Sequence, residues 1–190
     1  MKKSRRLIRT TLLALGAAVV FYVAASRWHA NNAEPIRNSP PTPAELAALR
    51  DFNSLVVSGN LMVEIVQQDG YSVDFIHGGG ARTGSFTATI RAKALVVNGY
   101  RNSAGDRVRI GMPTLSHVIT DGVPALSISG FSGESVSLKL EGATKFTARG
   151  NSIRQWHVVA SGNAGLQFDR ESMAAGNVDL VGHATLAVVD

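Results

Sequence analysis

The chain has 190 residues, with 19 Lys+Arg against 14 Asp+Glu, a formal net charge of +5 and no Cys. Five of the positive charges (Lys2, Lys3, Arg5, Arg6, Arg9) fall in the first ten residues, which leaves 14 basic and 14 acidic residues over the rest. A body that is neutral overall lacks the basic surface that nucleic-acid binding needs, and the absence of Cys excludes disulfides, thiolate zinc sites and a cysteine nucleophile.

Residues 1–28 have the composition of an export segment. Met1–Arg9 is a basic block, and Thr10–Ser26 follows without a single charge. At 1.5 Å per residue this run reaches about 25 Å, the short end of a membrane span. Two readings stand: a retained signal anchor, entering the membrane through Thr10 to Ser26, or a signal peptide cleaved near Val23-Ala24-Ala25 or Ala24-Ala25-Ser26. Both place the body outside the cytoplasm, because the charges precede the run and only Arg27 follows directly.

Residues 29–50 read as a linker and a short helix. Asn31–Thr42 holds three of the six prolines and no apolar periodicity, as an extended spacer would. Thr42-Pro43-Ala44-Glu45 has the order of a capping box, which predicts a two-turn helix over Ala44–Arg50 packed on the end of the next domain.

Residues 51–190 are the body, enough for one domain with its own core. From Val118 the chain can be laid out in blocks of twenty, with Gly122, Gly142, Gly162 and Gly182 in one column. Four positions before these glycines stand Val118, Leu138, Val158 and Val178; two before stand Thr120, Leu140, Ala160 and Leu180. Four after stand Leu126, Phe146, Leu166 and Leu186; six after stand Ile128, Ala148, Phe168 and Val188. Each block therefore reads as two period-2 strands with a glycine at the corner, and Ile153 and Met173 give a further apolar position where the coil closes. A fixed period with one such unit per block predicts an all-β solenoid, a right-handed parallel β-helix with coils of about 20 residues. Leu55-x-Val57-x-Gly59-x-x-x-Val63-x-Ile65 repeats the unit upstream, with Gly59 in the place of Gly122. Between them Ser72–Ile76, Gly84–Ile90, Ala94–Asn98 and Arg107–Ile110 read as strands. Their expected turns are Asp69-Gly70, Gly78-Gly79-Gly80, Asn98-Gly99 and Ala104-Gly105, and the looser spacing fits wider coils or a hairpin insertion.

The order Phe52-x-x-Leu-Val-Val-Ser-Gly59, then Val63-x-Ile65, then Met112-Pro113-x-Leu115 before the Gly-punctuated repeats, resembles the auto-transporter adhesin head GIN domain family. The resemblance covers about Asp51–Asp190. It implies a bacterial, envelope-associated β-helix and supplies no catalytic residues. Such domains often continue for another coil, whereas this chain stops at Asp190, inside a rung.

The repeat also shows which polar groups share a column. Asp121 and Glu141 stack beside the corner with Lys139 near them; paired carboxylates can hydrolyse glycosides, but the column continues as Ser161 and Val181, as a solvated face would. Arg149 and Asp169 stack as an expected surface ion pair. His117 and His157 share a column with Ser137 between them, two rungs or about 10 Å apart, too far to share a metal. His77 and His183 have no ligand-spaced partners, and Gly78-Gly79-Gly80 lacks the Lys-Ser/Thr of a phosphate loop. No catalytic, cofactor-binding or metal-binding residue is assigned, and no cofactor.

The expectation is thus a non-enzymatic envelope module at the bacterial inner membrane, its body in the periplasm, or secreted or periplasmic if the signal is cleaved. It would bind, adhere or scaffold through stacked faces, with a glycan or envelope protein as partner. The alternative is a carbohydrate-active enzyme of the β-helix type working at Asp121 and Glu141. Self-association through the C-terminal rung, Leu186–Asp190, is a third expectation.

Overall fold

Alternation of period two dictates the strands. Val118 and Thr120, Leu126 and Ile128, Leu138 and Leu140, Phe146 and Ala148 are buried, while the residues between them reach the surface. The computed structural model describes residues 41–78, 85–100 and 105–190. The basic N-terminus, the expected span Thr10–Ser26 and most of the spacer lie outside the described residues, as do Gly79 and Gly80. Among the described residues no helix is long and apolar enough to cross a membrane.

The described chain is all-β apart from two short helices, α1 (Pro43–Ala47) and α2 (Arg170–Ala175). Its strands are β1 (Ser54–Ser58), β2 (Met62–Gln67), β3 (Ser72–Ile76), β4 (Ser85–Arg91), β5 (Ala94–Tyr100) and β6 (Arg107–Met112). They continue with β7 (His117–Asp121), β8 (Ala125–Ser129), β9 (Ser132–Glu141), β10 (Lys145–Arg149), β11 (Ser152–Asp169) and β12 (Asn177–Val189). All belong to one twelve-stranded sheet, ordered β3-β6-β2-β8-β10-β11-β9-β7-β1-β5-β4, with β12 on β11. The sheet is open and curls on itself, because β11 serves both arms. Its first half pairs with β9 and its second half with β10.

Within the arms the pairing is parallel and carries the repeat. Val118, Leu138 and Val158 are cross-strand neighbours, as are Leu126, Phe146 and Leu166. β1 and β2 join in the register of the upstream unit, with Leu55 on Val118 and Val63 on Leu126. Leu95 on Leu55 and Val108 on Val63 extend both columns by one strand. These inward side chains are at most 3% exposed, and burying each contributes about 1.5–3 kcal/mol. Phe146, Trp156 and Phe168 fill the middle edge-to-face, with ring centroids 5.4–6.0 Å apart.

The corners turn on glycine for a steric reason. Gly122, Gly142, Gly162 and Gly182 have φ of +69°, +89°, +106° and +109°, a region that side chains with a Cβ resist. Gly130 and Gly150, twenty residues apart, form a second pair of the same kind, with φ of +81° and +59°.

Several expectations need correction. The period slips between β11 and β12: Val158 pairs with Leu180 and Ala160 with Gly182, and the register of the repeat returns at Ala164 and Ala184. A bulge in β11 between Ala160 and Ala164 absorbs the difference. Val178 therefore lies on Trp156, and Val181 on Val159 instead of Ser161. Asn98-Gly99 is not a turn: both residues sit inside β5, opposite Thr87 and Phe86 of antiparallel β4. The hairpin turns instead at Ala92-Lys93, with φ of +47° and +64°. Because β4 and β3 pair antiparallel with β5 and β6, the irregular early region is hairpin-like additions, not wider coils. Met173 lies in α2, half-buried against the core, and Ile153 faces Gly133.

Helix α1 forms where the capping box predicts. Thr42 Oγ1 accepts the Glu45 N–H at 3.3 Å and Glu45 Oε2 accepts the Thr42 N–H at 2.8 Å. It ends at Ala47, short of the expected Arg50, because the chain must turn left-handed at Asp51, φ +59°, to enter β1. Leu46 and Leu49 pack against the core at that end.

Candidate functional site

The residues between the inward columns project outward, and the same register lines them up. On the arm made by β7, β9, the first half of β11 and the first half of β12, three outward columns result. His117, Ser137, His157 and Asp179 form one; Ile119, Lys139, Val159 and Val181 form the next. Asp121, Glu141 and Ser161 form the third. β1 continues the register with Ser54, Val56 and Ser58, but Ser54 and Val56 are buried, so the outward face stops at β7. The face has no Phe, Tyr or Trp, and it mixes a polar column, a largely apolar column and an acidic one.

Its electrostatics are local. Asp121 and Glu141 are stacked neighbours as expected, but the Glu141 carboxylate is paired with Lys139 at 2.7 Å. That ion pair engages the carboxylate, and the column holds no further acid beyond Ser161, so the arrangement does not give the separate acid and base that glycoside hydrolysis uses. His157 Nδ1 lies 3.6 Å from Asp179 Oδ2. Burial pushes the imidazole of half-buried His117 below its ordinary pKa, which favours the neutral ring.

Ser137, His157 and Asp179 on adjacent strands have the hydroxyl, imidazole and carboxylate order of a hydrolytic triad. The chemistry needs more than order: a hydroxyl hydrogen-bonded to the imidazole, and free N–H groups aimed at an oxyanion. Ser137 makes no hydrogen bond to His157, and its own N–H is engaged by the Ser116 carbonyl at 2.9 Å. In a ladder the neighbouring N–H groups are likewise engaged. What the column offers is a row of donors and acceptors at one spacing.

The other sequence candidates separate. Arg149 and Asp169 form no ion pair. Asp169 Oδ1 accepts the Ser172 N–H at 2.8 Å and Oδ2 the Gly150 N–H at 2.6 Å, so this carboxylate caps α2. Burial raises its pKa, but the side-chain and backbone hydrogen bonds of Ser172, the Gly150 N–H and the charge of Arg149 together hold it below the usual range. Ion pairs between neighbouring strands form elsewhere, at Arg154–Glu134, 3.0 Å, and at Arg109–Glu64, 3.8 Å. His77 Nδ1 lies 3.9 Å from Asp106 Oδ1, and buried Asp106 also accepts the Gly78 N–H at 2.9 Å. Among the described residues no group of three or more His, Asp or Glu gathers as a metal site. A strict layout in equal blocks hides Asp179 from the His117 column, because it cannot show the slip between β11 and β12.

No family model matches the chain, and no curated protein matches it. Among the solved structures that share likeness, three are each described as a "putative adhesin". The protein from Parabacteroides distasonis is 14% identical with a TM-score of 0.39, covering 74% of this chain and 72% of its own. That from Bacteroides fragilis is 9% identical with a TM-score of 0.29, covering 74% and 94%. That from Parabacteroides merdae is 12% identical with a TM-score of 0.30, covering 75% and 93%. Likeness at this level says nothing of what this chain binds.

Proposed function

We propose that the chain is a non-enzymatic cell-envelope protein of the GIN domain type. In this reading the body is a short right-handed parallel β-helix in the periplasm, held at a bacterial inner membrane by Thr10–Ser26. It binds or scaffolds an extended partner along the β7–β9–β11–β12 face.

One observation carries the binding reading: outward groups recur on successive strands of that face, as in His117, Ser137, His157 and Asp179. Strands stack about 4.8 Å apart, so the face presents similar groups at each step. A linear partner that is itself repetitive, such as a glycan strand, meets that spacing many times over, as solenoid faces do. The fold reading rests on the parallel register of the repeat and the glycine corners, and the location on the basic block ahead of an uncharged run.

The test is retention of the full chain, in detergent, on purified envelope glycan and, in parallel, on envelope protein. Lys139→Glu and Val159→Glu on the proposed face should abolish retention, and Thr147→Glu on the other arm should leave it intact. Equal loss in all three variants, or no retention on either material, overturns the reading. Because the body is close to neutral, retention should change little as salt is raised. N-terminal sequencing of the membrane fraction tests the anchor, which a mature start near Ser26 or Arg27 would sink.

A further inference from the structure

One column of the proposed face holds two groups that can exchange partners. His157 of β11 lies beside Asp179 of β12 in the parallel register, with Ser137 of β9 on its other side. Its Nδ1 is 3.6 Å from Asp179 Oδ2, within ion-pair reach but longer than a hydrogen bond. Both side chains are partly exposed, at 32% and 48%. A neutral imidazole leaves the carboxylate open to a molecule lying along the column. An imidazolium in the same place closes on it in a charge-assisted hydrogen bond.

We propose that this pair is an acid-operated catch on the binding face. With His157 neutral, Asp179 accepts hydroxyls of the glycan strand; with His157 protonated, the imidazolium takes the carboxylate and the strand is released. The catch rests on the glycan reading of the face. Asp179 is the strongest acceptor in its column, because a hydrogen bond to an ionised group is about twice as strong as a neutral one. Imidazole is the side chain whose charge changes between about pH 5 and pH 8, and the protonated ring also loses its acceptor nitrogen. The other charged groups on the elements packed against β11 are engaged or lie elsewhere. Lys139 and Glu141 of β9 are paired with each other, and Glu134 of β9 with Arg154 of β11. Asp169 caps α2, Arg170 is paired with Asp190, and Glu171 stands beside Gly150 at the second corner. Lys145 and Arg149 of β10 belong to the other arm, and His183 of β12 follows the corner at Gly182. Asp121 of β7 stands in the corner column, next to Glu141. His117, two strands away in the same column as His157, is held neutral further into acid by its burial.

The test measures retention of the full chain, in detergent, on purified peptidoglycan between about pH 7.5 and pH 5. Wild type should bind about tenfold more weakly at the acid end, the loss of one hydrogen bond to a charged group. His157→Gln keeps a donor and an acceptor at every pH, so its retention should hold across the range. Asp179→Asn should be weak throughout, near the level of wild type at the acid end. A His157→Gln profile parallel to wild type overturns the proposal, as does an Asp179→Asn chain that keeps the wild-type profile. A wild-type profile that stays flat overturns the catch alone. Absence of retention at the neutral end in all three chains overturns the glycan reading and the catch together.

Discussion

Asn151 and Ser172 lock the second corner to helix α2. The Asn151 N–H donates to Ser172 Oγ at 3.1 Å and its Nδ2 reaches the same oxygen at 3.3 Å. The carboxamide also donates to the Ile128 carbonyl at 3.0 Å and accepts the Phe131 N–H at 3.0 Å. Both side chains are fully buried. Asn151→Leu leaves the buried Phe131 N–H without a partner, at about 1–3 kcal/mol, and removes the carboxamide's added bond to the Ile128 carbonyl, at about 1 kcal/mol. The expected loss of stability is therefore about 2–4 kcal/mol, checked by urea denaturation. Ser172→Ala should cost less, about 1–2 kcal/mol, because one acceptor is removed and the carboxamide keeps its other two bonds.

The corner glycines should be unequal to the other glycines. A Cβ on Gly162 would stand 2.7 Å from the Gly142 carbonyl oxygen, at φ +106°. Gly133, in β9, has nothing within 4 Å of the same added atom. Gly162→Ala should destabilise by about 2 kcal/mol or more, from the left-handed backbone and the clash together. Gly133→Ala should be neutral or stabilising by up to about 1 kcal/mol. Equal thermal shifts for the two variants would contradict the corner geometry.

How much of this was legible in the sequence follows from what each residue depends on. The columns through Val118, Leu126, Leu138 and Phe146 were visible because burial on one side of a strand imposes period two, and the glycine at each corner imposes the phase. The capping box at Thr42 was visible because it is local. Asn98-Gly99 misled because a strong turn dipeptide was overridden by pairing with β1 and β4, where Asn98 Oδ1 accepts the Ser58 hydroxyl at 2.6 Å. The slip of β12 and the capping of α2 by Asp169 were hidden for another reason. They arise where helix α2 stands between β11 and β12, and no apolar period marks that change. Of the candidate face, the upper part of each column was readable, and only Asp179 and Val181 moved.

Thr120 points into the core between Val57 and Leu140, fully buried, and its hydroxyl has no hydrogen-bond partner among the described residues. Val97, Val57, Leu140 and Ala160 give this column an apolar group on the neighbouring strands. Thr120→Val replaces the hydroxyl by a methyl of similar size and relieves an unpaired polar group, which is worth about 1–3 kcal/mol. The expected outcome is a rise in stability of about 1 kcal/mol or more by chemical denaturation, with no change in retention on envelope material. A fall in stability would show that the hydroxyl is satisfied in solution.

Asp169 gives the body an acid-sensitive joint. Burial alone would raise its carboxyl, but the bonds from Ser172 and Gly150 and the charge of Arg149 outweigh that effect and hold it below the usual carboxylate range. The unfolded chain binds the proton more readily, so this group stabilises the fold above its unfolded pKa of about 3.9. That contribution is lost as pH falls through the lower folded value. Wild-type stability should therefore begin to drop as pH falls through the ordinary aspartate range, near about 4, and go on falling below it. Asp169→Asn keeps a capping oxygen but cannot titrate, and its curve should be flatter in that window. Asp169→Ala loses the cap at every pH, at about 1 kcal/mol, and α2 should fray first. Stability measured against pH for the three chains decides the point: parallel curves for wild type and Asp169→Asn would assign the acid loss to other carboxylates.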